Sequence, residues 1–184
     1  MKSDKPRVPP LPESQWDTET REILEGIKRS GQVFNIFTTL ARHPKLMTKW
    51  LGFGNYILFK STLPARDREL AILRTAWLCR ADYEWGHHAA IGRESGLTPE
   101  EIERIAKTPD SAGWDPFDAT LLNAVDELHN RAVLSDGIWQ ALGERYEMEQ
   151  LMDLVFTVGQ YHLAAMALNT FGVQLEEGFT GIPE

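Results

Sequence analysis

Residues 65–96 decide the fold class: Ala65-Arg66-Asp67-Arg68-Glu69-Leu70-Ala71-Ile72-Leu73-Arg74-Thr75-Ala76-Trp77-Leu78-Cys79, then Arg80-Ala81-Asp82, then Tyr83-Glu84-Trp85-Gly86-His87-His88 through Ser95-Gly96. In the first piece, apolar Leu70, Leu73, Ala76 and Trp77 recur at helical spacing, with charges on the other side. The triplet Arg80-Ala81-Asp82 reads as a short joint, with Asp82 placed to cap a helix from Tyr83 to Ser95 that Gly96 closes. Two helices joined by three residues must pack against each other, so this stretch predicts a helical pair.

Helix signals continue on both sides. Asp17 is placed to cap a helix carrying Ile23, Leu24 and Ile27 that ends near Gly31. Pro44 suits the first turn of the next, which runs toward Phe59 and is weakened by Gly52 and Gly54. Thr98-Pro99-Glu100-Glu101 reads as a capping box with proline at the first helical position. Asp115-Pro116 and Ser135-Asp136 open two more, and the last long helix begins near Glu149 or Gln150. Strand alternation is nearly absent, so the expected class is all-α. At an offset of 81 residues, Leu70, Leu73 and Arg74 align with Leu151, Leu154 and Val155. Internal duplication and chance sharing of apolar spacing both account for that match.

At 184 residues the chain fits one domain. It divides into residues 1–33, an arm plus first helix, and residues 34–184, the helical domain. The arm holds Pro6, Pro9, Pro10 and Pro12 and reads as extended, placed to drape over a neighbouring subunit. It lacks the apolar stretch of a signal peptide, and a cytoplasmic location is expected. Net charge of −8 offers no general attraction to phosphate backbones or anionic lipid, so nucleic acid is not an expected partner. The stretch from Leu151 to Val173 is apolar enough to raise a membrane span. Asp153, Gln160, His162 and Asn169 interrupt it, which favours a buried core helix and no membrane partner.

Cys79 is the only cysteine, so neither an intramolecular disulfide nor a two-cysteine redox centre can form within one chain. The titratable groups collect around residues 69–88. Glu84 and His88 lie four apart and share a helix face, as do Tyr83 and His87 one step round. A histidine beside a carboxylate is general acid–base equipment, because the carboxylate fixes the tautomer and raises the basicity of the ring. The plainer alternative is that these histidines satisfy structural hydrogen bonds. Glu84, His87 and His88 are also possible metal ligands in type. Adjacent histidines diverge on a helix, however, and no H-E-x-x-H spacing occurs, so no metal is assigned.

These residues resemble the carboxymuconolactone decarboxylase family of the alkylhydroperoxidase D-like superfamily, whose pattern is a helical glutamate followed by C-x-x-C-x-x-x-H. Here Glu69 takes the glutamate place, Ala81 and Glu84 the cysteine places, and His88 the histidine place. Asp126-Glu127-Leu128-His129, the run Val158-Gly159-Gln160-Tyr161-His162, Asn169 and Phe171-Gly172-Val173 look like the second half of the same family, so the likeness spans about residues 34–173. It implies an alkylhydroperoxidase D-like helical bundle that assembles as a homotrimer or homohexamer.

With both thiols replaced, the resemblance points away from thiol peroxidases and toward the decarboxylase side. There an unsaturated lactone acid loses carbon dioxide and the resulting dienolate is protonated on carbon, with no cofactor. On that reading His88 delivers the proton, Glu84 is its partner and Glu69 the relay, while Tyr83, His87, Arg74 and Trp85 bind a small-molecule substrate. Two carboxylates beside an anionic substrate repel it, so one should be protonated or a cation should compensate, and Arg74 or Arg80 is the candidate cation. The same acid–base set would serve a lactone isomerase, dehydratase or cyclase. A non-catalytic binding or scaffold protein is the remaining class.

Overall fold

The structure, a computed structural model, describes residues 5–28, 31–109 and 111–183. Among them are nine α-helices: α1 (Thr18–Gly26), α2 (Asn35–Leu40), α3 (Pro44–Phe59), α4 (Ala65–Leu78), α5 (Asp82–Glu94), α6 (Pro99–Ile105), α7 (Pro116–Arg131), α8 (Asp136–Gly143) and α9 (Met148–Phe171). The class is all-α, as the periodicity predicts.

Several helix starts follow the sequence signals. Asp17 accepts the Thr20 N–H at 2.8 Å, Thr98 and Glu101 form a reciprocal capping box, and Asp115 accepts the Phe117 N–H at 2.9 Å. α1 ends at Gly26, earlier than expected, and α9 begins at Met148, where Glu147 and Gln150 make a second capping box. The short α2 has no side-chain cap and was not legible from periodicity. Gly52 and Gly54 do not interrupt α3.

Helix α4 is the axis of the bundle and packs along α5, α7 and α9. Leu70, Leu73 and Ala76 are fully buried in one apolar cluster with Leu121, Val125, Leu142 and Leu154. Truncating either leucine to alanine would cost about 2–5 kcal/mol. A second cluster joins Leu24, Ala41 and Met47 between α1, α2 and α3, and a third joins Ile57, Ile72 and Tyr161.

The α4–α5 joint is a left-handed cap. Arg80 adopts φ 53°, Ala81 N–H reaches back to the Ala76 carbonyl at 2.9 Å, and Arg80 N–H to that of Trp77 at 3.1 Å. These bonds satisfy the end of α4 and start α5 after a single turn. Asp82 is not the cap: it sits inside the first turn of α5, and its Oδ1 accepts the Ile182 N–H from the C-terminal segment at 3.1 Å.

The N-terminal arm lies on its own chain. Arg7 and Val8 N–H groups both donate to the Phe171 carbonyl at 2.8 and 3.1 Å, and Leu11 N–H donates to that of Thr38 at 2.8 Å. The arm's first four residues fall outside the described ones. α9 is long and apolar enough to cross a membrane by length and composition, with half of its apolar window buried in the fold. Its outer side exposes Met152, Phe156, Leu163 and Met166 beside Phe53 and Phe59 of α3.

Candidate active site

A cavity of about 560 Å³ opens between α2, α3, α5 and α9. α5 contributes Tyr83, Glu84, His87 and His88, so both rows of the i, i+4 pattern face it. Trp50, Asn55 and Leu58 come from α3, Gln160, Tyr161 and Ala164 from α9, and Lys28 and Lys60 stand at exposed positions on its edge.

His88 is buried, and its Nδ1 lies 2.7 Å from Glu69 Oε2, a carboxylate with no solvent exposure at the centre of α4. Arg68 Nε lies 3.2 Å from the other oxygen and balances its charge. A carboxylate can only accept, so the shared proton is on Nδ1 and Nε2 is the nitrogen left for a substrate. Tyr161 meets the His88 ring edge to face at 4.8 Å. Burial, with Glu69 and Glu84 adding to it, raises the phenol well above its ordinary range. The helical spacing suggested Glu84 as the partner of His88, whereas the ring is held from α4.

Glu84 stands apart. It is buried, and neither carboxyl oxygen has a hydrogen-bond partner among the described residues. Burial pushes its pKa well above the usual carboxylate range, which favours the neutral acid. That shift acts against the repulsion expected from two carboxylates at an anion site.

His87, the neighbouring histidine, belongs to a different cluster. Its Nε2 lies 2.6 Å from Glu176 Oε2, while Glu176 Oε1 accepts from Tyr83 Oη at 2.8 Å and from Asn35 N–H at 2.6 Å. Burial raises the pKa of Glu176, but the bonds from His87, Asn35 and Tyr83 outweigh it and hold the carboxyl below its ordinary value. Phe34 and Phe179 pack on the His87 ring at centroid distances of 4.6 and 4.1 Å. Glu176 and Phe179 lie in an irregular segment after α9, where neither periodicity nor motif marks them. That segment crosses α5 closely: a Cβ on Gly86 would stand 2.7 Å from Leu175 Cδ2 and 3.0 Å from the Thr180 carbonyl oxygen.

Two of the expected substrate contacts are elsewhere. Arg74 is buried and bonded through Nε and Nη2 to both Asp126 oxygens at 2.6 and 2.7 Å, with Nη1 on the Ile105 carbonyl at 2.6 Å, so its charge ties α4 to α7. Trp85 is buried in the main core. Among the described residues, the cations that reach the cavity are Lys28, itself paired with Glu25 at 2.6 Å, and Lys60. Cys79 does not line the cavity, and burial, with Glu84 adding to it, pushes its thiol up to about 11.

Residues 44–127 match the carboxymuconolactone decarboxylase family. That stretch holds Glu69, Glu84 and His88. The helical bundle is that of alkylhydroperoxidase D-like proteins. A peroxidase-related protein with the alkylhydroperoxidase AhpD core from Ralstonia eutropha JMP134 superposes with a TM-score of 0.82 at 20% identity, over 92% of each chain. A peroxidase-related protein from Silicibacter sp. TM1040 gives 0.78 at 15% identity, over 97% of this chain and 93% of that one. The debrominase Bmp8, in a cysteine-to-alanine variant complexed with 2,3,4-tribromopyrrole, gives 0.74 at 16%, over 95% of this chain and 94% of that one. No curated protein matches the sequence significantly. At these identities the structures establish the shared fold, and the likeness to the family is carried by residues 44–127.

Proposed function

We propose that this carboxymuconolactone decarboxylase relative is a cofactor-free acid–base enzyme acting on a small unsaturated lactone acid or keto carboxylic acid through an enolate. The observation that carries the reading is the pairing of His88 with buried Glu69 at the wall of a cavity that also holds the unpartnered acid Glu84.

In the proposed reaction the bond from the substrate's ring or chain carbon to its carboxylate breaks. The electron pair passes into the conjugated carbonyl, and carbon dioxide leaves. Glu84, neutral and lacking a partner, donates a hydrogen bond to the enolate oxygen as charge develops there. An imidazolium at His88 gives its Nε2 proton to carbon and regains one from solvent, with Glu69 behind Nδ1 stabilising the charged ring. Lys60 supplies the positive charge at the entrance that Arg74 does not. The debrominase of the same fold binds a small substituted ring, which fits a cavity of this size. Tyr83 and His87, engaged by Glu176, would shape the wall and bind substrate oxygens.

Assembly into a homotrimer or homohexamer belongs to the same reading, with the exposed apolar side chains of α3 and α9 as the surface that would be covered. Light scattering is expected to give a multiple of the chain mass.

The test is turnover and carbon dioxide release on a panel of unsaturated lactone acids and β-keto acids, comparing wild type with His88→Ala and Glu84→Gln. Gas release lost in both variants is the expected result. Substrate consumption without gas would move the reaction to isomerisation or dehydration on the same residues, and silence across the panel would remove the decarboxylase reading.

A further inference from the structure

Outside the cavity, three side chains from three helices converge. Cys79 sits at the C-terminal cap of α4, His129 in the last turn of α7 and His162 in the middle of α9. Their sulfur and ring-nitrogen donor atoms all lie within 4.8 Å of one another. His129 Nδ1 is 2.8 Å from His162 Nε2.

We infer that Cys79, His129 and His162 form a zinc-binding site distinct from the proposed catalytic pocket, with a fourth position open to water. A thiolate with two imidazoles is a donor set that suits zinc among the common divalent ions. Tetrahedral zinc with bonds of about 2.3 Å to sulfur and about 2.0–2.1 Å to nitrogen needs its donors about 3.3–3.6 Å apart. One pair stands at 2.8 Å and every pair within 4.8 Å, so the donors lie close to that requirement.

Outer contacts orient the ligands. His162 Nδ1 donates to the Val158 carbonyl at 2.8 Å, which leaves the Nε2 lone pair facing the cluster. Asn169 Nδ2 donates to the Cys79 carbonyl at 3.0 Å and ties the cysteine backbone to α9. One thiolate and two neutral rings leave the bound ion with a single net positive charge. Of the charged groups nearby, Asp126 favours a cation and Arg74 opposes it, and the two are already paired with each other. The site is partly open to solvent, so an ion can enter.

The competing account is a simple hydrogen bond between His129 and His162, with Cys79 a bystander. Equilibrium dialysis of chelator-treated full-length protein with zinc distinguishes them. One zinc per chain is expected, and labelling of the Cys79 thiol should slow at least about tenfold on loading. Cobalt should give a thiolate-to-metal charge-transfer absorption with a four-coordinate visible spectrum. Cys79→Ser and His162→Gln should each weaken zinc binding by more than about tenfold while keeping the wild-type circular dichroism. Zinc uptake unchanged in both variants would overturn the site. So would wild-type protein in which cobalt yields no thiolate band and zinc leaves thiol labelling unaltered, a result that does not depend on any variant folding.

Discussion

Two adjacent residues of α5, His87 and His88, each hold a carboxylate about one hydrogen bond away, yet the two pairs differ in everything else. Glu69 reaches His88 from the middle of the most buried helix, at a position with no solvent exposure. Glu176 reaches His87 from an irregular segment beyond α9 and shares its oxygens with Tyr83 and the start of α2. The first pair is fixed by core packing, and the second is fixed only while the segment stays docked. Identical chemistry on one helix therefore has two stabilities, and the more rigid pair is the better candidate for positioning a proton.

The comparison breaks most decisively in turnover. Glu69→Gln should lower kcat/KM by about 10²–10⁴-fold on any substrate the panel identifies, and His88→Ala added to it should cost little more, because the two act as one unit. His87→Ala should act chiefly through KM. Equal kcat losses for Glu69→Gln and His87→Ala would erase the distinction.

Stability of the second pair is the next handle. Glu176→Gln removes an ionised acceptor of three bonds and should cost about 1.5–3 kcal/mol, with faster proteolysis after Val173. The lowered pKa of Glu176 gives the sign of its pH response. Its contribution is present above the ordinary glutamate value and is lost as pH falls through the lower, folded one. Release of residues 174–183 on acidification should therefore precede melting of α4, a sequence that amide hydrogen exchange would resolve.

The last handle is Glu84, which belongs to neither pair. Its raised pKa works in the opposite direction: the favourable contribution is present below the ordinary glutamate value and lost as pH rises through the folded one. Over that window wild type should lose up to about 1.4 kcal/mol per pH unit relative to Glu84→Gln, read from denaturant unfolding of both proteins. Parallel pH profiles would mean that Glu84 is charged when folded.

Much of this architecture was legible in the chain itself. The helical period around Leu70, the capping box at Thr98 and the joint near Arg80 are local signals, and the structure obeys them because nearby packing does not oppose them. The cavity residues Tyr83, Glu84, His87 and His88 were legible as helix rows. The partners were not. Glu69 and His88 are 19 positions apart and Glu176 and His87 are 89 apart, so only tertiary packing brings them together. Arg74 misled for the same reason: its position suggested a free cation, while Asp126 on another helix had already engaged it. Cys79, His129 and His162 carry no ligand spacing at all.

Gly86 gives residues 174–183 a place in the order of assembly. Its missing side chain leaves the groove into which Leu175 and Thr180 settle. The contacts of α4 with α5, α7 and α9 do not involve residues 174–183, so the partner of His88 is in place whether or not that segment has docked. His87 waits for Glu176, and the wall of the cavity is finished only when the segment settles against Gly86.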